Sequence, residues 1–260
     1  MNLKNLLCER ADGVATVSIN RPDKLNALNR ATLVELTDLI SDLKRDQEIR
    51  VIVLTGQGPK AFVAGADITE INGLSATQAH AFSRQGQALM SMIEHSEKPI
   101  IAMINGFALG GGMELALACH LRIAADSARL GLPEIKLGIL PGFGGTQRLV
   151  RLVGRTQALG LTLSGEPIDA QRAHELGLLN EVCTPETLAQ TTHAWAQKLA
   201  KAAPHAVAGI LESVVVGQET HLEAGLALET ARFALCCATQ DMQEGTTAFM
   251  EKRAPQFKGT

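Results

Sequence analysis

The chain has 260 residues, 46% of them apolar and 20% charged, with a formal net charge of -3. This is enough apolar material for a filled core, and it excludes a disordered or fibrous chain. The slight acidity gives no general attraction for nucleic acid or an anionic membrane, and no apolar run approaches the roughly 20 residues that span a bilayer.

The run from Met1 to Gly13 has one lysine and a short apolar patch. It reads as neither a secretory signal nor an Arg-rich transit peptide, so a cytoplasmic protein is expected. Residues 3–9 and 14–19 read as strands joined at Asp12-Gly13, a hairpin signal. After the loop Asn20-Arg21-Pro22-Asp23-Lys24, Leu33, Leu36, Leu39, Ile40 and Leu43 recur at helical spacing. Val51 to Thr55 is a β-branched run ended by Gly56, Gly58 and Pro59, the pattern of a buried strand. Gly65 and Gly73 bracket a loop, residues 76–95 read as a helix, and Ile100 to Ile104 as a second buried strand. A glycine triplet then opens an Ala/Leu-rich helix, with strands expected near 121–125 and 128–131. A second glycine-rich turn opens a helix running toward Arg151. Short strands alternating with helices imply an α/β domain with crossover connections. Beyond about residue 185 only helices are expected, over 186–203, 205–217, 220–237 and 239–252, with Pro204 breaking the first pair. Their Leu222, Leu226, Leu228, Phe233 and Leu235 form an apolar surface suited to docking on the core or on a neighbouring subunit. The expected division is an α/β core over 1–195 and a helical region over 196–260.

Cys8, Cys119, Cys183, Cys236 and Cys237 form no CxxC pair and sit in mostly apolar surroundings, so buried free thiols are expected. The seven histidines show no metal spacing, and His174-Glu175 lacks the second histidine of a zinc protease motif. No metal is expected.

Three segments carry the chemical signal: Ala61 to Asp67, Asn105 to Glu114, and Leu132-Pro133-Glu134-Ile135 with Pro141-Gly142-Phe143-Gly144-Gly145. In the second, a buried strand runs through Gly110-Gly111-Gly112 into a helix. Glycine lets a ligand approach the main chain, and the first amides of a helix have no internal partner, which suits a developing oxyanion. A tight packing turn is the competing reading of the triplet. A phosphate cradle is less suited, because neither GxxxxGK[ST] nor GxGxxG is present. Glu114 could merely complement the helix dipole, and Glu134 could be a surface charge. Both, however, are carboxylates in apolar sequence beside anion-binding backbone, the setting in which paired carboxyls divide acid and base work.

Together these segments resemble the enoyl-CoA hydratase (crotonase) family. The resemblance runs from Asn20-Arg21-Pro22 to Phe249-Met250-Glu251-Lys252-Arg253-Ala254-Pro255-Gln256-Phe257. It is most specific at Asn105 to Ala116 and Pro141 to Leu149. It implies the crotonase fold of repeated ββα units with a C-terminal helical trimerisation region, and a homotrimer or a hexamer made of two trimers. It also implies syn addition of water to a trans-2-enoyl-CoA, with coenzyme A as part of the substrate and no cofactor or metal. By the same resemblance Glu114 and Glu134 hold one water, and the amides of Ala66 and Gly111 form the oxyanion hole. The CoA body runs past Lys24, Leu25, Ala27, Ala64, Asp67 and Ile68, and Gly142 lies beside the carboxylates. Phe249 and Lys252 approach the CoA of a neighbouring subunit. Two departures stand out: Thr69 follows Asp67-Ile68 where the family has Lys, and Leu132 replaces a Gln found in some close hydratases. An isomerase of the same family needs no water and generally lacks a carboxylate at the position of Glu114. RNA binding would want a basic stripe, whereas 24 Lys and Arg face 27 acids and there is no tyrosine for base stacking.

Overall fold

The computed structural model describes residues 3–260, so Met1 and Asn2 of the amino-terminal run lie outside the described residues. β1 (Leu6–Ala11) and β2 (Val14–Ile19) pair antiparallel through a turn with Asp12 at φ 50° and Gly13 at φ 78°. Two successive positive φ values match the twist of the hairpin. β1 begins at Leu6, later than the strand expected from residue 3. A 3-10 turn at Pro22–Lys24 leads to α1 (Arg30–Arg45), whose cap Asn29 accepts from the amide of Thr32. The chain continues as β3 (Val51–Gly56), β4 (Ala61–Val63), α2 (Ile68–Ile71) and α3 (Ala76–Glu94). Then come β5 (Ile100–Ile104), β6 (Phe107–Leu109) and α4 (Gly111–Ala118). β7 (Leu121–Ala125), β8 (Arg129–Gly131), a 3-10 turn at Pro133–Leu137 and α5 (Gly145–Ser164) follow. β9 (Ile168–Asp169), α6 (Ala170–Glu175) and β10 (Glu181–Cys183) close the core. α7 (Pro185–Ala200), α8 (Pro204–Gly217), α9 (Leu222–Cys237) and α10 (Gln240–Glu251) end the chain.

The strands form two sheets, one ordered β1-β2-β3-β5-β7-β10 and one ordered β4-β6-β8-β9. Each of the pairs β3/β4, β5/β6 and β7/β8 sends its first strand to the large sheet and its second to the small one before a helical segment. This is the ββα repetition that the resemblance implies. All pairings are parallel except β1 with β2 and β8 with β9. The core therefore has two faces. Ile52 and Leu54 pack with Leu36, Ile40, Phe62 and Met90, while Val51 and Val53 pack with Ile123, Leu188 and Ala196.

The last of these residues lie on α7, so a division after residue 195 would fall inside a helix that covers the large sheet. α5 continues past Arg151 to Ser164, although Gly154 at φ 74° interrupts its helical backbone. Beyond α7 the packing loosens: α8 buries only Gly209, and α9 buries none of its residues. No single helix is long and apolar enough to cross a membrane, and α7 and α8 bend by 108° at their junction. The five cysteines are free, but only Cys119 is fully buried and the other four are half-buried.

Candidate active site

The site is built where the small sheet meets the start of α4. Gly110 caps that helix at φ 50° and ψ -123°, a conformation open to glycine alone, and its amide donates to Gly131 on β8 at 2.9 Å. A Cβ on Gly112 would lie 2.0 Å from the carbonyl oxygen of Val63, so the helix begins flush against β4. This close approach decides the fate of two amides. Gly111 is the first helical residue, and its N–H has no partner within the described residues. Around Ala66 the chain bridges Leu28 through its neighbours: Leu28 donates to Gly65 and Asp67 donates to Leu28, each at 2.8 Å. In a parallel bridge the central residue turns its own N–H away, which leaves the Ala66 amide free. A Cβ on Gly111 would stand 3.4 Å from that nitrogen, so glycine keeps the space beside both amides open.

Glu114, one turn into α4, is only 2% exposed. Its Oε1 accepts from the amides of Phe143 and Gly145, both at 2.7 Å. Burial pushes the carboxyl up to about 7; the charge of Glu134 adds to that, while the amides of Gly145 and Phe143 and the cation of Arg148 oppose it. Glu134 sits in the 3-10 turn at Pro133–Leu137, buried at 8% exposure. Burial raises its pKa as well, against the pull of its own backbone N–H. Its Oε2 is buried with no hydrogen-bond partner in the described residues, an oxygen left for something outside the chain to satisfy. A Cβ on Gly110 would come within 3.0 Å of its Oε1.

Both carboxyls line one cavity of about 450 Å³. Its polar lining includes Glu114 and Glu134 with the backbone of Ala66, Gly110 and Gly111, besides His80 and Ser83; the rest is mainly apolar, with Ile71, Leu74, Phe82, Leu137, Leu140 and Phe143. Such a chamber can take a carbonyl against its polar groups and a hydrocarbon chain against its apolar ones. Among the described residues, no group of three or more His, Cys, Asp or Glu side chains could hold a metal ion.

Of the expected site residues, Ala64, Ala66, Ile68, Gly111, Glu114, Glu134 and Gly142 all border this cavity. Lys24, Leu25 and Ala27 do not. They lie on the neighbouring loop, which is held beside β4 by the Ala64 amide donating to Leu25 at 3.0 Å; Lys24 and Leu25 are exposed there. The Asp67 side chain is already engaged, with Oδ2 on Arg21 at 2.9 Å and Oδ1 on the Thr69 hydroxyl at 2.7 Å, and these bonds hold its carboxyl below its ordinary value. Thr69 thus locks the cap of α2. Leu132 is buried behind the site, 3.1 Å from where a Cβ on Gly145 would stand. Phe249, 84% exposed on α10, and Lys252, at its end with φ 56°, do not border the cavity within one chain.

Sequence reasoning assigned no part to Ser83, Gly86 or Gln87 of α3, which hold the 142–145 turn. Ser83 donates to the Gly142 carbonyl at 2.5 Å and Gln87 at 3.2 Å, and a Cβ on Gly86 would lie 2.1 Å from the Phe143 ring. Polar residues and one glycine on a half-exposed helix give no signal of this. Phe143 and Gly145 did lie in a marked motif, but only the fold reveals that their amides meet Glu114.

The enoyl-CoA hydratase/isomerase family matches residues 9–260. The crotonyl-CoA hydratase of Syntrophomonas wolfei is 44% identical, covering 99% of each chain. The short-chain-enoyl-CoA hydratase of Clostridium acetobutylicum is 44% identical over 97% of each. Among solved structures, an enoyl-CoA hydratase from Bacillus anthracis superposes with a TM-score of 0.96 at 41% identity, covering 99% of this chain and all of the other.

Proposed function

Because the chain belongs to the enoyl-CoA hydratase/isomerase family, we propose that Glu114 and Glu134 are its acid–base pair and that Ala66 and Gly111 supply its oxyanion hole. The enzyme is a hydro-lyase, an enoyl-CoA hydratase: it adds water reversibly to a trans-2-enoyl-CoA to give the 3-hydroxyacyl-CoA. The observation that carries the assignment is the pairing of two buried carboxyls with two unengaged amides around one chamber.

The thioester oxygen accepts from the amides of Ala66 and Gly111, which draws electron density from the double bond and leaves C3 electrophilic. Removing one such donor typically costs about 2.7–4 kcal/mol of barrier. A water held between the carboxyls loses a proton to Glu114 as its oxygen attacks C3, and C2 takes a proton from Glu134. Two amide donors on Glu114 Oε1 favour its ionised form, whereas the unpartnered Oε2 of Glu134 suits a carboxyl that holds a proton. Two carboxyls this close in one site titrate as a unit. This chemistry needs no metal or cofactor. Isomerisation uses one carboxyl and no water, so a second buried carboxyl favours hydration.

The same reading places CoA along Lys24, Leu25, Ala27, Ala64, Asp67 and Ile68, with Phe249 and Lys252 reaching the CoA of a neighbour. It makes the enzyme a homotrimer or a pair of trimers. A cytoplasmic setting, consistent with five unpaired thiols, belongs to the proposal too. The test is turnover of trans-2-enoyl-CoA thioesters of increasing length by the protein and by Glu114→Gln and Glu134→Gln. Each substitution should lower kcat by at least about 100-fold while CoA binding persists. Near-normal hydration by either variant would remove the mechanism.

A further inference from the structure

The two peptide groups that donate to Glu114 are themselves gripped from behind. The peptide joining Gly142 to Phe143 gives its N–H to Glu114 Oε1 at 2.7 Å, and its carbonyl accepts from Ser83 Oγ at 2.5 Å and Gln87 Nε2 at 3.2 Å. The Gln87 amide also reaches Ser83 Oγ at 3.4 Å, so the two side chains form one polar clamp on α3. The peptide joining Gly144 to Gly145 gives its N–H to the same oxygen at 2.7 Å, and its carbonyl accepts from the amides of Gln147 and Arg148, each at 3.0 Å. The second carbonyl is therefore held by the first turn of α5, and the first by side chains of α3. A peptide whose carbonyl is hydrogen-bonded becomes a stronger donor at its N–H, because successive hydrogen bonds polarise one another. The Phe143 ring fixes the same turn by packing edge-on to Phe82 at 5.2 Å between centroids and against Gly86.

From this geometry we infer that Ser83 and Gln87 are positioning residues for hydration, acting through the Gly142–Phe143 peptide to keep Glu114 ionised and aimed. The inference rests on Glu114 being the base. No family resemblance pointed to these residues, and only one of them, Ser83, borders the cavity; Gln87 lies on the far side of the turn, in a separate surface cleft. That difference separates positioning from direct substrate contact. The other charged groups that bear on Glu114 are Glu134 and Arg148, the latter paired with Glu94 of α3 at 2.6 Å, and His80 of α3 borders the same cavity.

The experiment measures crotonyl-CoA hydration across about pH 5 to 9 for the protein, Gln87→Met, Ser83→Ala, Ser83→Thr and the double variant. Gln87→Met should lower kcat several-fold with KM changed less than about twofold. Loss of polarisation makes the carboxylate harder to form, so the acid limb of kcat should move to higher pH by about half a unit. The double variant should lose kcat about tenfold, and Ser83→Thr, which keeps the hydroxyl, should restore the parental limb. An unmoved acid limb, or a loss confined to KM, would overturn the inference. Should Ser83→Ala prove unstable to heat, Gln87→Met carries the test alone. Glu114→Gln serves as the control: if it is inactive and Gln87→Met keeps the parental pH profile, only the positioning role fails. If Glu114→Gln retains turnover, the acid–base assignment fails with it.

Discussion

At the scale of single residues, Glu114 is held in two opposed ways. Burial lifts its carboxyl to about 7, and two amides work to bring it down. As the proposed base, Glu114 must be ionised, so kcat should fall as pH drops below about 7, and a kcat profile that stays flat from pH 5 to 8 would contradict this. Stability has the opposite dependence. A carboxyl whose pKa is raised by folding stabilises the native state while protonated, and that contribution is lost as pH rises from about 4.5 to about 7. Glu114→Gln keeps an oxygen for both amides but removes the buried charge. It should raise stability at pH 8 on the order of 2 kcal/mol and change it little at pH 4.5, as read by thermal or urea unfolding at the two pH values. Gly145 makes the complementary case: a Cβ there would stand 2.9 Å from Glu114 Cγ, so Gly145→Ala should displace the carboxylate and lower kcat at least about tenfold. The motif containing these residues was legible in the sequence. The hydrogen bonds from its amides were not, because backbone donors leave no mark in side-chain identity.

At the scale of elements, the long ones could be read and most of the short strands could not. α1 and α3 run through several turns, and β3 and β5 are β-branched runs bounded by glycine or asparagine, so their periodicity or composition stands out. β4, β6 and β9 have three residues or fewer, too few to show any alternation, so of the second sheet only β8 was legible, although β4 and β6 lie inside the marked motifs. The helix that carries Glu114 is unusual in having all eight residues buried, as suits its Ala/Leu-rich composition. Its seat on β4 depends on Gly112. Gly112→Ala puts a methyl group 2.0 Å from the Val63 carbonyl oxygen, a contact that must be relieved by moving the helix. The expected cost is about 1–3 kcal/mol of stability, and activity should fall further than stability does because Gly111 moves too. Comparing urea midpoints with kcat for this variant checks both.

At the scale of the whole molecule, the core is filled but the carboxyl-terminal helices are not covered. Leu222, Phe233 and Leu235 of α9 are 76%, 70% and 59% exposed, and Ile210 and Val214 of α8 are 63% and 62% exposed. Faces this apolar on neighbouring helices are normally covered by another surface. Under the proposed trimer, Phe233→Glu should shift sedimentation toward single chains, and activity should fall with it if Phe249 and Lys252 complete a neighbour's CoA site. A trimer that persists with its activity unchanged would place the interface elsewhere. The sequence marked this apolar surface, but it did not show that α7 belongs with the sheet and not with the helices after it.

The division into two sheets also has a consequence in time. β3 and β5 close as long a stretch of chain as β4 and β6 do, but the large sheet is held by more pairs: six between β2 and β3 and four between β5 and β7, against two between β4 and β6. Loop closure on that scale is slow to be rewarded when so few contacts wait at its end. The proposed catalytic chamber should therefore mature after the large sheet: on dilution from denaturant, helical signal is expected to return first and hydration only after a lag.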